Sequence, residues 1–413
     1  MDRPTGERLP LEGIRVLDFT WVVAGATGTR MLVDFGAEVI KVESAQSPDP
    51  IRFGPPFAER KVGINRSGWF NNVNRNKKSI ALNLHHPTGV EIAKRLAAVS
   101  DVVTENFTPG TMEGWGLGYD DLKAVKSDII YCAVSGYGPG GRNSRYTSWG
   151  PTAQATSGMT IMSGLPGDEP AGWGYSHLDL MPGYLMAIAL LAALRHRRLT
   201  GEGMAVDISQ IETGIFLSGP RILDFTVNGR GYPGPTGNRA EFLAVAPHNA
   251  YKCRGDDRWV AIVCRSDGEW RAMTEVMGRP DLADDPRFLT NESRLAHEEE
   301  LHREISAWTS ELDPYDVMDR LQAAGVPCGV VQDAQDKIER DRQLSHRSFF
   351  SRADHPEIGE RVFEGAVPRL VRTPGSVRRG APLLGEHTER VLRDALGMDD
   401  AEIAEVTASG ACR

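Results

Sequence analysis

Three consecutive stretches decide the fold: Ile14-Arg15-Val16-Leu17-Asp18-Phe19, a helical run from Ala24 to Phe35 closed by Gly36, and Glu38-Val39-Ile40-Lys41-Val42. Two short β-rich runs flank a helix within about 30 residues. That spacing is a βαβ unit, whose strands lie parallel. The same alternation continues outward. Lys78 to Leu84 reads as strand, Thr88 to Val99 as amphipathic helix, and Asp101 to Asn106 as strand. Tyr119 to Val125 is a short helix and Ile129 to Val134 a further strand. Repeated strand–helix alternation predicts an α/β, doubly wound, Rossmann-like sheet.

Beyond Gly136 the composition shifts. Gly136-Tyr137-Gly138-Pro139-Gly140-Gly141 opens a loop-rich stretch that runs to Leu178. Pro182 to Arg198 is apolar nearly all round, which predicts a buried helix with Pro182 in its first turn. Ala205-Val206-Asp207-Ile208 is another strand. Asn228 to Arg239 holds Gly229, Gly231, Gly234 and Gly237 and reads as a linker. The expected division is a large domain over 1–227, a smaller α+β domain over 228–324, and a return to the large domain over 325–413.

Composition limits the function classes. The 413 residues are 40% hydrophobic and 25% charged, ordinary globular values that exclude a disordered chain or a fibre. The longest apolar run, Leu185 to Leu194, is about half a membrane span. Met1 to Arg8 has no apolar core behind its charges, so no secretory signal is expected and the expected location is cytoplasmic. A net charge of −9 argues against a nucleic-acid partner. The five cysteines include no CxxC pair, so neither a disulfide framework nor a metal site is expected.

The opening βαβ has Gly25 and Gly28 but no GxGxxG, and the chain has no GxxxxGK[ST] or GxSxG, so dinucleotide binding at that unit, P-loop and serine-hydrolase chemistry lack support. Asn74-Arg75-Asn76-Lys77-Lys78 sets three cations in five residues, either as a solvated loop or as a phosphate clamp. Asp179 precedes the apolar helix. It is either an N-cap or a carboxylate nucleophile kept ionised by the helix dipole. His177 reads as structural or solvated.

Six blocks, in order and spanning nearly the whole chain, resemble the family III CoA-transferases of the formyl-CoA/carnitine type. They are Leu11 to Asp18 with Gly36 to Glu43; Asn74 to Leu84; Asp101 to Gly110; Leu191 to Leu194 with Thr200 to Asp207; Ala324 to Gly329; and Ala381 to Thr388. The resemblance implies a ring-like protomer interlocked with a second in a dimer. It assigns the nucleophile to Asp179, with Gly183 following. It implies CoA contacts at Val22, Val23 and Ala24, at Leu82, Asn83, Leu84 and His85, and at Asn106 and Phe107. Trp69 and Tyr137 fall in its acceptor pocket. No cofactor beyond coenzyme A as substrate is implied.

The chain also departs from that pattern. Val23 stands where the formyl-CoA enzyme has glutamine, Ser44 and Gly114 where it has arginines, and Trp69 where it has a pocket tyrosine. Arg75 and Lys77, with Arg52 and Arg145, are the candidate replacements for phosphate contacts. The aromatic Trp21, Trp69, Phe70, Trp149, Trp173 and Tyr175 are either core or pocket lining. As lining they would favour a bulky or aromatic acid over formate or oxalate, with succinyl-CoA a candidate donor. The alternatives are an α-methylacyl-CoA racemase of the same fold and a non-catalytic subunit of a heteromeric transferase. The racemase needs a histidine where this chain has Trp149-Gly150-Pro151. The Gly229 to Gly237 stretch is a linker or a lid.

Overall fold

The computed structural model describes residues 8–232, 234–239 and 243–413. It divides into two units, one of residues up to 160 with 172–231 and 345–413, the other of 161–171 and 232–344. In the larger unit the elements run β1 (Arg15–Asp18), α1 (Ala24–Asp34), β2 (Glu38–Glu43), α2 (Gly68–Asn74) and β3 (Lys78–Ala81). They continue with α3 (Pro87–Ala98), β4 (Val102–Glu105), α4 (Thr111–Gly114), α5 (Tyr119–Val125) and β5 (Ile130–Ser135). Then come α6 (Gly150–Thr156), α7 (His177–Thr200), β6 (Met204–Ser209), α8 (Gln210–Leu217) and α9 (Gly219–Asn228).

The six strands form one parallel sheet in the order β3-β2-β1-β4-β5-β6. Alternate strand residues face opposite sides, so each strand feeds two helical layers. Leu17, Ile40, Ile80 and Val103 pack with Ile92 and Leu96 of α3 and with Val391 and Leu392 near the C-terminus. Val16, Val39, Val102 and Ile130 pack with Leu32 and Val33 of α1 and Met186 and Leu190 of α7. The chain returns along the β3 edge, where the Ala81 N–H donates to Thr388 Oγ1 at 2.9 Å and the His387 N–H to the Ser79 carbonyl at 2.9 Å. Strand order reverses between β1 and β4, which opens a crevice at the carboxyl ends of those strands.

Two expectations are corrected in α7. The helix begins at His177, so Pro182 lies inside it rather than at its start. By length and composition α7 would also cross a membrane, a longer apolar element than the sequence suggested. Here one face packs against α1, β5 and β6, while Ile188, Leu191 and Leu199 are exposed, so the run expected to be buried is buried on one side only. The contact with α1 is backbone on backbone: a Cβ at Gly28 would fall 2.8 Å from the Gly183 carbonyl oxygen, and one at Gly183 2.6 Å from that of Ala24.

The smaller unit has an antiparallel sheet of β7 (His248–Lys252), β8 (Trp259–Val263) and β9 (Cys328–Val330), with a core around Tyr251, Trp270, Phe288 and Leu301. Because β9 pairs with β8, the chain leaves this unit at 344/345 and not at 324/325. Residues 161–171 also belong to it, and the first boundary falls at 231/232, inside the glycine-rich stretch.

Candidate active site

A cavity of about 260 Å³ opens at the carboxyl ends of β1, β4 and β5. It is lined by Trp21, Val22, Val23 and Ala24 from the loop after β1, by Asn106 to Pro109 after β4, and by Val134 to Gly136 at the end of β5. Ser144 and the segment Tyr146 to Trp149 close one side, and Asp179 and Gln210 complete it. The two loops flanking the switch point are clasped. The Trp21 N–H donates to Asn106 Oδ1 at 2.7 Å, and Asn106 Nδ2 donates to the Trp21 carbonyl at 2.9 Å.

Val22 is held at φ +59°, an unfavourable backbone for a β-branched residue. Its N–H donates to Asp49 Oδ1 at 2.9 Å, and Asp49 is anchored by Lys41 at 3.0 Å in a fully buried pair. The first turn of α1 meets the cavity through Val23 and Ala24. Its leading N–H groups have no intrahelical acceptor, which suits a phosphate or an oxyanion.

Asp179 sits in the first turn of α7. Its Oδ1 accepts from Gln210 Nε2 at 2.9 Å, and its carboxylate also accepts from the Ser176 side chain and the Gly150 N–H. Burial pushes its carboxyl above the usual aspartate range, and these three donors pull it back. Among the described residues no cation pairs with it. Gly150 is obligatory here, since a Cβ would fall 2.5 Å from Asp179 Oδ2. A half-desolvated carboxylate held by neutral donors, with no counter-ion to quench it, is equipped for nucleophilic attack.

Val22, Val23, Ala24, Asn106 and Phe107 therefore line the cavity beside Asp179. Leu82, Asn83, Leu84 and His85 do not: Leu82 is buried in the core, and the Asn83 N–H donates to the Ala411 carbonyl at 2.8 Å. His85 connects to the cavity through a row of rings, edge-on to Trp115 (6.1 Å), which meets Phe107 (5.5 Å), which meets Trp21 (5.3 Å). Trp69 packs beside Val22, Val23 and Leu180 and stacks on Tyr175 at 5.6 Å, outside the lining. Tyr137 stands edge-on to the lining residue Tyr146 at 6.2 Å. His177 packs on Trp173, and among the described residues no histidine lines the cavity.

Arg75 and Lys77 are neither a phosphate clamp nor a solvated loop. Lys77 is fully buried and donates to Asp18 Oδ2 (2.9 Å), Thr29 Oγ1 (2.7 Å) and Asn74 Oδ1 (2.9 Å). Desolvation lowers its ammonium to about 8 despite the Asp18 charge. Arg75 donates to both oxygens of Asp34, at 2.6 and 3.3 Å. Arg52 is likewise buried in a two-pronged pair with Glu43. All three side chains are buried in ion pairs, and Arg75 Nη1, which has no hydrogen bond among the described residues, lies 3.4 Å from Glu364. Arg145 alone of the four is exposed, between the lining residues Ser144 and Tyr146.

Gln210, Ser148 and Gly150 escaped the sequence reading. Gln210 had one available signal, a polar residue two positions past a predicted parallel strand, where α/β sheets present ligand-facing groups.

Residues 11–388 match the model of CoA-transferase family III. The chain is 35% identical over 405 residues to the succinyl-CoA–L-malate CoA-transferase beta subunit of Chloroflexus aurantiacus, covering 97% of this chain and 98% of that one. It is 32% identical over 402 residues to the succinyl-CoA:glutarate CoA-transferase of Mus musculus, with 97% and 90% covered. The crystal structure of a CAIB/BAIF family protein from Brucella suis superposes with a TM-score of 0.86 at 28% identity, over 94% of this chain and 100% of that one. The chain thus belongs to CoA-transferase family III and is a CoA-transferase.

Proposed function

We propose that the protein moves CoA from a donor acyl-CoA to a free carboxylic acid through an aspartyl-CoA thioester on Asp179. The observation that carries this reading is the unpaired, donor-held Asp179 carboxylate in a cavity at the switch point. An Asp179 oxygen attacks the thioester carbonyl, forming the mixed anhydride and expelling CoA thiolate. The thiolate attacks the aspartyl carbonyl of the anhydride, giving aspartyl-CoA and releasing the donor acid as carboxylate. The acceptor carboxylate attacks aspartyl-CoA, and the steps reverse to yield the new acyl-CoA and free Asp179. No net proton or electron moves, so coenzyme A is the only cofactor-like group required.

In this reading Val22, Val23 and Ala24, with Asn106 and Phe107, hold the thioester arm, and Arg145 meets the phosphates. Succinyl-CoA is the proposed donor, by likeness to the relatives named above. The proposed acceptor is a bulky or aromatic acid, because the rings of Trp21, Phe107, Tyr146 and Trp149 surround the cavity. Apolar side chains exposed on α8 and α9, among them Phe216, Leu223, Phe225 and Val227, support a dimer, either of this chain or with a homologous subunit; the proposed location is the cytoplasm.

Incubation with donor acyl-CoA and hydroxylamine should modify Asp179. Asp179→Ala should abolish transfer in the folded protein, and transfer that survives the change refutes the mechanism. A wild-type chain that is silent alone but active with a homologous partner would make it a subunit of a heteromer. Competition among L-malate, glutarate and an arylalkyl-succinate for succinyl-CoA tests the acceptor. Higher kcat/KM for the small acids would overturn the aromatic assignment.

A further inference from the structure

Pro182 has no N–H, so the Leu178 carbonyl, four residues earlier in α7, lacks its helical donor. Gln210 Nε2 supplies one at 3.1 Å. The same nitrogen donates to Asp179 Oδ1 at 2.9 Å. On the other side of the amide, Gln210 Oε1 accepts from Ser148 Oγ at 3.0 Å. Two acceptors face the nitrogen and a hydroxyl faces the oxygen, so the amide has one sensible orientation. Gln210 is buried at 6% exposure, and Ser148 is pressed against Gly136, where a Cβ would fall 1.9 Å from its hydroxyl oxygen.

We propose that Gln210 is the oxyanion donor for the aspartyl half of the reaction, with Ser148 as the residue that orients it; this rests on Asp179 being the nucleophile. The reaction attacks two kinds of carbonyl carbon, that of the substrate acyl group and Asp179 Cγ. When CoA thiolate adds to Cγ of the anhydride, a carbon–sulfur bond forms and the carbonyl π pair moves onto Oδ1. Re-formation of the carbonyl breaks the Cγ–O bond and expels the donor carboxylate. When the acceptor carboxylate adds to Cγ of aspartyl-CoA, charge returns to Oδ1 and CoA thiolate leaves. In each case Oδ1 passes from a neutral carbonyl to an oxyanion, and the Gln210 bond strengthens as it does. The carbonyl orphaned by Pro182 fixes the other end of that donor, so the amide is in place before the charge develops.

The test is steady-state kinetics with single-turnover trapping of the Asp179 adduct from donor acyl-CoA. Gln210→Met should lower kcat about 10²–10³-fold, with both KM values within about threefold, and should slow aspartyl-CoA formation to match. Ser148→Ala keeps the donor but frees its orientation. It should lower kcat about three- to tenfold at unchanged Tm. A folded Gln210→Met protein with kcat near wild type overturns the proposal. If Gln210→Met does not fold, Ser148→Ala decides, and unaltered kcat there overturns it. Transfer that survives Asp179→Ala would sink the nucleophile and Gln210 together. A dead Asp179→Ala with normal Gln210→Met would sink Gln210 alone.

Discussion

The large unit handles buried carboxylates in two opposite ways. Around β1 and β2, Asp18, Glu43 and Asp49 are each matched by a buried cation, Lys77, Arg52 and Lys41 respectively. At the head of α7, Asp179 receives three neutral donors and, among the described residues, no cation. A buried ion pair satisfies both members and leaves neither available to a ligand. A carboxylate held by neutral hydrogen bonds keeps a free lone pair, although burial raises its pKa. The contrast shows that density of charge along the chain is a poor guide to chemistry; what matters is which charge the fold leaves unmatched.

The largest effect that sharpens this contrast is on the paired side. Lys77→Met strands Asp18 in the core and should cost about 3–5 kcal/mol in urea unfolding. Activity per folded molecule, and KM for acyl-CoA in particular, should hardly change. A selective rise in that KM, with stability intact, would restore the phosphate-clamp role and break the comparison. Next in size is Arg145, the exposed one among the candidates Arg52, Arg75, Lys77 and Arg145. Arg145→Ala should raise KM for acyl-CoA about tenfold, as loss of a charge-assisted hydrogen bond to phosphate implies, without moving Tm. Equal effects on both substrates would count against it.

The smallest effect concerns Glu105, a third kind of buried carboxylate. It lies at the end of β4, where it accepts from the Phe107 N–H at 2.6 Å and the Tyr131 hydroxyl at 3.5 Å. Burial pushes its carboxyl from 4.5 up to about 7, helped by the nearby charges of Glu113 and Asp207. A raised folded value means the protonated form favours folding. That contribution is complete below pH 4.5 and disappears as pH rises through 7. Relative to Glu105→Gln, the wild-type Tm should therefore fall by about 2–4 °C between pH 5 and pH 8. A flat difference would show that Glu105 is ionised throughout.

Much of the architecture was legible because strand and helix periods are local. The opening βαβ and its repeats read directly from Ile14 to Val134, and the apolar run after Asp179 announced a helix, though not that Ile188, Leu191 and Leu199 would be exposed on it. What was hidden is what depends on pairing across the fold. Arg75 and Lys77 looked like a cationic loop because their partners, Asp34 and Asp18, are 41 and 59 residues away. Cys328 to Val330 looked like a return to the large domain because three residues cannot show which sheet they join. Asp179 stood out through the resemblance, since its local pattern fits a cap equally well. Gln210 had no motif of its own. Its significance arises only once the proline gap in α7 is set beside it.

The glycine crossing of α1 and α7 has one further consequence. Backbone meets backbone where Gly28 faces Gly183, with the side chains of Met186 and Thr27 packed close against the crossing. The loop that precedes α1 and the carboxylate that heads α7 are thereby held at one spacing, like two jaws of a fixed calliper. What lies between the jaws, here the rings at Tyr146 and Trp149, can therefore be exchanged without moving the jaws themselves.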